Sequence, residues 1–247
     1  MCEKMISNVI CRLSTFADYS MLTYNNSDVI NVMKEFDQYN FAPSQVSEVS
    51  IGGLLSQRMA FSGMNNHLSV IVNEQRIDIT WISEKKQGFA AEEIPEINCQ
   101  SIEIIDGLQK IFKNRAPVPY RLAWFTNFVY FELSDAQKRE FRSKFLKELE
   151  FYKKEETLDD MLARYAIRKN QPINGKDDKV NILTTISRWE TNLGTDWAVD
   201  GYNVELDINT WQNNKVNRFT IEDITDFTRI AKKYQDTIIE EIFNEHK

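Results

Sequence analysis

The sequence holds 247 residues, of which 42% are hydrophobic and 27% are charged, as in an ordinary soluble globular protein. Its net charge of −7 disfavours broad electrostatic attraction to nucleic acid or to anionic membranes, although a local basic patch remains compatible with it. No run approaches the roughly 18 apolar residues of a membrane span, and the N-terminus lacks the apolar core of a signal peptide. Cys2, Cys11 and Cys99 are widely spaced and predict free thiols. We therefore expect a cytoplasmic protein without membrane contact.

The first half of the chain predicts a strand, a helix, several short strands and a second helix. Residues 8–16 form the first strand, and Asn26 with Ser27 caps the first helix. Residues 84–100 are polar and predict a loop, after which Ser101 precedes the second helix. The short strands between the helices are predicted at Val46–Ile51, Gln57–Ser62, Leu68–Val72 and Ile77–Ser83.

The densest apolar run, Tyr120–Leu133, lies in the middle of the chain. With a period of two, Leu122 and Trp124 point to one side while Phe125 and Val129 point to the other. A strand that is apolar on both faces needs cover on both. The run is therefore predicted to be a central strand of a sheet.

The second half repeats the order of elements. Ser134 and Gln137 have the spacing of a capping box, which predicts a helix that uses Phe141, Phe145 and Leu149. The longest predicted helix begins at Thr220 and runs nearly to the end of the chain. Between these helices, strands are predicted at 161–167, 181–189 and 202–208.

This order predicts an α+β fold in one domain, residues 1–247. We expect a curved antiparallel sheet with long helices on one face, built from two similar β-α-β(3-4)-α halves at 1–116 and 117–247. The prediction of a repeat rests on the order of elements and not on sequence identity between the halves.

Two resemblances accompany this pattern. The order of elements resembles the tandem fold of the TATA-box-binding protein and the broader helix-grip arrangement. The middle run YRLAWFTNFVYFELS and the C-terminal region beginning VELDINTWQNN resemble a sporadically distributed bacterial family of uncharacterised proteins of about 250 residues. Both resemblances imply a fold, and neither implies catalytic residues.

Residues suited to catalysis or metal binding are scarce. The histidines are His67, at a predicted hairpin tip, and His246, next to the C-terminus, and neither has the surroundings of a nucleophilic triad. The cysteines and histidines lack zinc-site spacing, and the glycines lack the spacing of a phosphate loop. We therefore predict no cofactor and no metal, and favour a protein that is not an enzyme.

Charge and aromatic residues give the remaining functional signals. Between residues 108 and 170 there are 14 Lys/Arg against 9 Asp/Glu. Arg164 and Arg168 share one side of a predicted strand, and Arg188 lies on a possible neighbour, so the three are candidates for binding a phosphate or carboxylate. Pairing with Glu205 or Asp207 across the sheet is the structural alternative. A further set of residues either packs in the core or lines a ligand cavity: Trp124, Trp189, Trp197 and Trp211.

Three functions are consistent with the sequence. The leading prediction is a non-enzymatic binding protein of bacterial type that recognises a protein partner or a small ligand through the face of its sheet. The second is an enzyme or sensor that binds a phosphorylated or nucleotide-like ligand through the arginines. The third is an antitoxin, immunity or phage-defence protein. A protein partner is expected, a small anionic ligand is possible, and nucleic acid is disfavoured.

Overall fold

The computed structural model describes residues 5–49, 53, 55–63, 67–83, 88–90, 92–131, 133–146, 161–191 and 199–243. These residues form nine strands and four helices, which confirms the α+β class. The helices are α1 (Asn26–Glu35), α2 (Glu93–Phe112), α3 (Asp135–Phe145) and α4 (Ile221–Phe243). The strands are β1 (Met5–Phe16), β2 (Ala42–Val49), β3 (Leu55–Gly63), β4 (Leu68–Val72), β5 (Arg76–Ile82), β6 (Arg121–Phe131), β7 (Leu162–Asn170), β8 (Lys179–Thr191) and β9 (Val199–Thr210).

All nine strands belong to one open sheet. Its order is β2-β3-β4-β5-β1-β6-β9-β8-β7, and each neighbouring pair is antiparallel. The predicted central strand is β6, which pairs with β1 from Phe16 opposite Arg121 to Met5 opposite Phe131. β2 and β7 are the edge strands.

The two faces of the sheet have different surroundings. On the covered face, Leu13, Trp124 and Ile208 are fully buried, and buried residues of α1, α2 and α4 pack with them in the larger core cluster. Phe141 of α3 packs in a second cluster with Tyr130 and residues of β8 and β9 on the same face. The opposite face is the open face. Across strands β5, β1, β6, β9, β8 and β7 its central row is Asp78, Ser14, Ala123, Asn209, Asn181 and Arg168.

Helix α2 begins eight residues earlier than its sequence predicts. Residues 93–100 were predicted to be loop, but they form the first two turns, with Ile94 and Ile97 buried. Pro95 lies in the first turn, where an α-helix tolerates a proline because the early N–H groups have no intrahelical acceptor. Ser101 is therefore not a helix start. It lies inside α2, where its hydroxyl accepts from the indole of Trp81 at 3.0 Å and donates to the Ile97 carbonyl.

Helices α1 and α3 begin with the same kind of cap. Ser134 and Gln137 form the predicted capping box. In α1 the cap is Asn25, one residue before the predicted pair, and its side chain accepts from the Asp28 N–H at 2.9 Å. Asp28 also receives two hydrogen bonds from Arg115, and these hydrogen bonds lower the pKa of Asp28 below its ordinary value. Leu149, the last residue that the sequence assigned to α3, lies outside the described residues.

The N-terminus of α4 is joined to the turn between β7 and β8. Asp223, whose side chain is fully buried, accepts from the Thr220 N–H at 2.9 Å and from the Asn174 amide at 3.0 Å, and it forms an ion pair with Lys176. Burial alone raises the pKa of Asp223, but these hydrogen bonds outweigh burial and lower it. The turn needs left-handed backbone at Asn174 and Gly175, which these two residue types adopt readily. Among the described helices, none is long and apolar enough to cross a membrane.

Candidate ligand-binding face

The structure brings two of the three candidate arginines to one face. Arg164 and Arg168 lie on β7 opposite Thr185 and Asn181, and their side chains point to the open face. Arg188 lies on the neighbouring strand β8, as the sequence suggested. It is an odd number of positions away from Thr185 and from Asn181 on that strand. Because side chains alternate along a strand, Arg188 points to the covered face. There it lies 3.6 Å from Asp200, so it does not join the other two arginines.

Arg168 begins a chain of hydrogen bonds across three strands. Its Nε–H donates to the Asn181 side-chain oxygen at 2.7 Å. The Asn181 amide donates to the Asn209 oxygen at 3.1 Å, and the Asn209 amide donates to Asp207 at 3.0 Å. The guanidinium of Arg168 also lies 3.6 Å from the centre of the Trp211 ring, within range of a cation–π contact. Arg168 is therefore held by its neighbours, and its link to Asp207 passes through two amides.

The residues of this hydrogen-bond network line a pocket on the open face. The pocket has a volume of about 370 Å³. Its polar lining residues are Arg121, Arg168, Asn181, Asp207, Asn209 and Gln212. Guanidinium and amide donors therefore converge on one volume, with Asp207 supplying a carboxylate acceptor.

Arg121, at the start of β6, has hydrogen-bonding capacity left over. Its guanidinium lies 4.5 Å from the centre of the Phe16 ring, and its buried Nε has no hydrogen-bond partner in the described part of the chain. Burial lowers the pKa of Arg121, and the attraction of Asp207 opposes that shift. An arginine stays protonated in a protein, so a partly desolvated cation with an unused donor faces the pocket.

A second arginine has the same surroundings. Arg12 of β1 lies 4.8 Å from the centre of the Phe125 ring, and its Nε is likewise buried without a partner among the described residues. Both arginines occur in the sequence pattern R-L-x-x-F, at 12–16 and at 121–125. Arg12 and Arg121 were not among the predicted site residues, and this repeated pattern is the signal that could have identified them.

The open face is basic although the whole chain is acidic. From β5 through β1, β6, β9 and β8 to β7, six basic residues point to this face, against three acidic ones. The basic residues are Arg12, Arg76, Arg121, Arg164, Arg168 and Lys179. The acidic residues are Asp78, Glu205 and Asp207. Asp78 is already bound, by Arg76 at 2.8 Å and by the Ser14 hydroxyl at 2.6 Å.

Trp124 and Trp211 lie on opposite faces of the sheet, so these two tryptophans do not line one cavity. Trp124 is fully buried in the core and donates its indole N–H to Gln235 at 3.1 Å, so it packs as a core residue. Trp211 lies on the open face against Arg168. Trp197 lies outside the described residues. A separate groove of about 560 Å³ on the covered face has an apolar lining that includes Tyr165, Ile167, Ile182 and Ile238.

The histidines and cysteines are the remaining candidates from the sequence. His67 lies within 3.0 Å of the Ile82 carbonyl through Nδ1. Cys11 and Cys99 are free thiols, and burial raises the pKa of Cys11 to about 12, which keeps it protonated and unreactive. Cys2 and His246 lie outside the described residues. Within the described ranges, no group of three or more His, Cys, Asp or Glu side chains is placed to hold a metal ion.

Comparison with known proteins identified no family for this chain. The chain matches no protein-family model, and no curated protein is similar to it in sequence.

Proposed function

We propose that this chain is a binding protein that holds a small anionic ligand on the open face of its sheet. The observation that carries the proposal is Arg121, a half-buried guanidinium with an unused Nε–H at the wall of a polar pocket. Arginine binds phosphate and carboxylate groups through several parallel N–H donors, so an anion in the pocket would give this guanidinium the ion pair that it lacks among the described residues.

The rest of the pocket suits recognition. Arg168 is fixed by Asn181 and Trp211, so it presents its terminal N–H groups without losing further side-chain freedom. Asp207 and the amide of Gln212 favour a ligand that carries hydrogen-bond donors as well as an anionic group. These groups can orient a ligand, and for this reason we propose binding rather than catalysis.

Calorimetry with a panel of anions tests this function. The panel contains inorganic phosphate, pyrophosphate, a nucleoside monophosphate and a dicarboxylate, titrated into the full chain. We expect at least one anion to bind wild type and to lose about tenfold or more in affinity with Arg121→Met. The matched control is Arg164→Met, an exposed arginine on the same face that does not line the pocket. Failure of every anion to bind, or equal loss in both variants, contradicts the proposal.

We also infer that the chain consists of two similar halves in a tandem arrangement like that of the TATA-box-binding protein. Two observations support this. The strand orders β3-β4-β5-β1 and β7-β8-β9-β6 correspond on the two sides of the sheet centre. The offset of 109 residues that relates Arg12 to Arg121 also relates the cap residue of α1, Asn25, to that of α3, Ser134. The proposed ligand site then lies within the second half, with Arg121 at its border with β1.

A protein partner is the second function that we propose, because of the edge strand β7. Its nine residues carry Arg164, Arg168 and Lys169 with no acidic residue. Leu162, Tyr165 and Ile167 of the same strand are 66%, 48% and 52% exposed. An extended acidic segment could add a strand here, through backbone hydrogen bonds and opposite charge. Purification from the native host at natural abundance tests this. A stoichiometric partner lost with Tyr165→Ser/Ile167→Ser supports it, and a partner unaffected by that variant contradicts it.

A further inference from the structure

Arg12 and Arg121 are related by the geometry of the central strand pair. Arg12 lies directly opposite Phe125, and Phe16 lies directly opposite Arg121. Ser14 and Ala123 lie opposite each other midway between these pairs. A two-fold rotation about the Ser14–Ala123 position therefore exchanges the two strands and superposes arginine on arginine and phenylalanine on phenylalanine.

The two arginines also share a chemical state. Each guanidinium lies over a phenylalanine ring, and each has a buried Nε without an acceptor. Two other arginines show the usual carboxylate pairing: Arg58 is 3.0 Å from Glu48, and Arg218 is 2.9 Å from Asp178. No ion pair is found for Arg12 or Arg121 within the described ranges. Stacking on a ring leaves the in-plane N–H donors available, so both arginines can receive an anion.

The region between them can hold a narrow ligand. Phe16, which lies opposite Arg121, is four positions after Arg12 along β1, so the two arginines attach to the sheet roughly 13 Å apart along the strand direction. The side chains at the midpoint are small, and Ser14 is turned toward Asp78, to which it donates at 2.6 Å. The rings of Phe16 and Phe125 lie on either side of this midpoint. Ser14 and Ala123 are buried by the larger side chains around them, so a linear spacer would cross above these two residues, between the two rings.

We infer that Arg12 forms a second anion subsite, and that the ligand of the open face is an elongated dianion that bridges Arg12 and Arg121 across Ser14 and Ala123. This inference rests on the proposed function, because it takes the Arg121 pocket as the first subsite. It specifies a ligand class: two phosphate or carboxylate groups joined by a spacer long enough to reach both arginines. A dianion that fits gains affinity because the second contact forms within an existing complex.

Titration calorimetry with synthetic phosphonates tests the inference on the full chain. The probes are propane, hexane and decane with a phosphonate at both ends, and the monophosphonate of each. We expect the affinity of the bisphosphonates to rise with length until the spacer bridges the arginines, where it exceeds that of the matching monophosphonate by about tenfold or more. Arg12→Met removes this gain while monophosphonates still bind through the Arg121 pocket, whereas Arg121→Met weakens both kinds of probe. Arg164→Met is the control and changes neither.

The outcomes separate this inference from the proposed function. If monophosphonates bind through Arg121 but length brings no gain, or if Arg12→Met leaves the gain intact, the second subsite is wrong and the Arg121 site stands. If no phosphonate binds, the second subsite is wrong, and the proposed function is wrong as well unless an anion of the first panel binds through Arg121. Thermal unfolding of each variant establishes that it is folded, and Arg12→Lys, which keeps the charge, is expected to retain part of the gain. A short oligothymidylate distinguishes two sources of such an anion. If the oligothymidylate binds and needs both arginines, the ligand is a phosphodiester strand. If a bisphosphonate binds but the oligothymidylate does not, the ligand is a small molecule.

Discussion

Tryptophans on the covered face of the sheet and arginines on its open face differ in their hydrogen-bond partners. On the covered face, the indole N–H groups of Trp81 and Trp124 donate to Ser101 and Gln235, both of which belong to helices. On the open face, Arg12 and Arg121 hold buried Nε groups with no such partner in the described chain. These two indole groups are thus completed by the fold, although the buried Thr126 hydroxyl on the same face has no partner among the described residues. On the open face, Ser14, Asn181 and Asn209 are bonded within the sheet, whereas the two arginine Nε groups lack an acceptor. The predictions below test this difference between the tryptophans and the arginines.

Trp124 should give the largest effect. Trp124→Ala removes a fully buried indole from the sheet centre and leaves the Gln235 side chain without its donor. We expect a loss of about 3–5 kcal/mol in the free energy of unfolding. Urea denaturation measures it. A loss below about 1 kcal/mol contradicts the assignment of Trp124 to the packed core.

Asp223→Asn should give the next largest effect. The variant loses the ion pair with Lys176 and weakens the cap of α4, for an expected loss of about 1–3 kcal/mol near neutral pH. The pKa of Asp223 is lower in the folded state, so its contribution is present above the unfolded pKa of about 3.9. That contribution is lost as the pH falls through the folded pKa.

Urea denaturation between about pH 7 and pH 3 checks both the size and the sign of this effect. The difference between wild type and Asp223→Asn should shrink at the acidic end. Asp177→Asn, an exposed carboxylate in the same turn, is the control and should change stability by less than about 0.5 kcal/mol. A difference that grows on acidification contradicts the lowered pKa.

Arg121→Met should separate stability from binding. The variant removes a partly desolvated charge that has no ion-pair partner, so we expect stability to stay within about 1 kcal/mol of wild type or to rise. The matched variant is Arg218→Met, which loses hydrogen bonds to Asp178 and to the Val216 carbonyl and should lose about 1–3 kcal/mol. Thermal and urea unfolding compare the two. Equal destabilisation would indicate that Arg121 serves the fold.

Arg164→Ala should give the smallest effect. Arg164 is exposed on the edge strand β7, and its loss should change the free energy of unfolding by less than about 0.5 kcal/mol. Urea denaturation checks this value. A larger loss would indicate that Arg164 has an interaction in the fold that its exposure conceals.

The strands were predictable because one buried face imposes alternation. β4 matches its prediction at both ends, and the apolar face of β9 is the predicted Tyr202, Val204, Leu206 and Ile208. The start of α2 was missed because a proline and several glutamates read as loop, although the first turn of a helix accepts both.

The candidate site was harder to predict, because its residues lie far apart in the chain. Arg121 lines the pocket with Asn181 and Asp207, which come from strands whose adjacency depends on the sheet order. Arg188 could have been placed from the sequence. It follows Ile182, Thr184 and Ile186 at intervals of two, so it shares their covered face.

The pairing of β1 with β6 has a consequence for folding. More than one hundred residues separate the paired positions, so the centre of the sheet closes a long loop, which slows folding. During synthesis, β1 can pair with β5 as soon as the first sheet segment is complete, but its other edge stays open until residue 131 has left the ribosome. The nascent first half therefore exposes an unpaired strand edge, and this edge is where misassembly of this protein would begin.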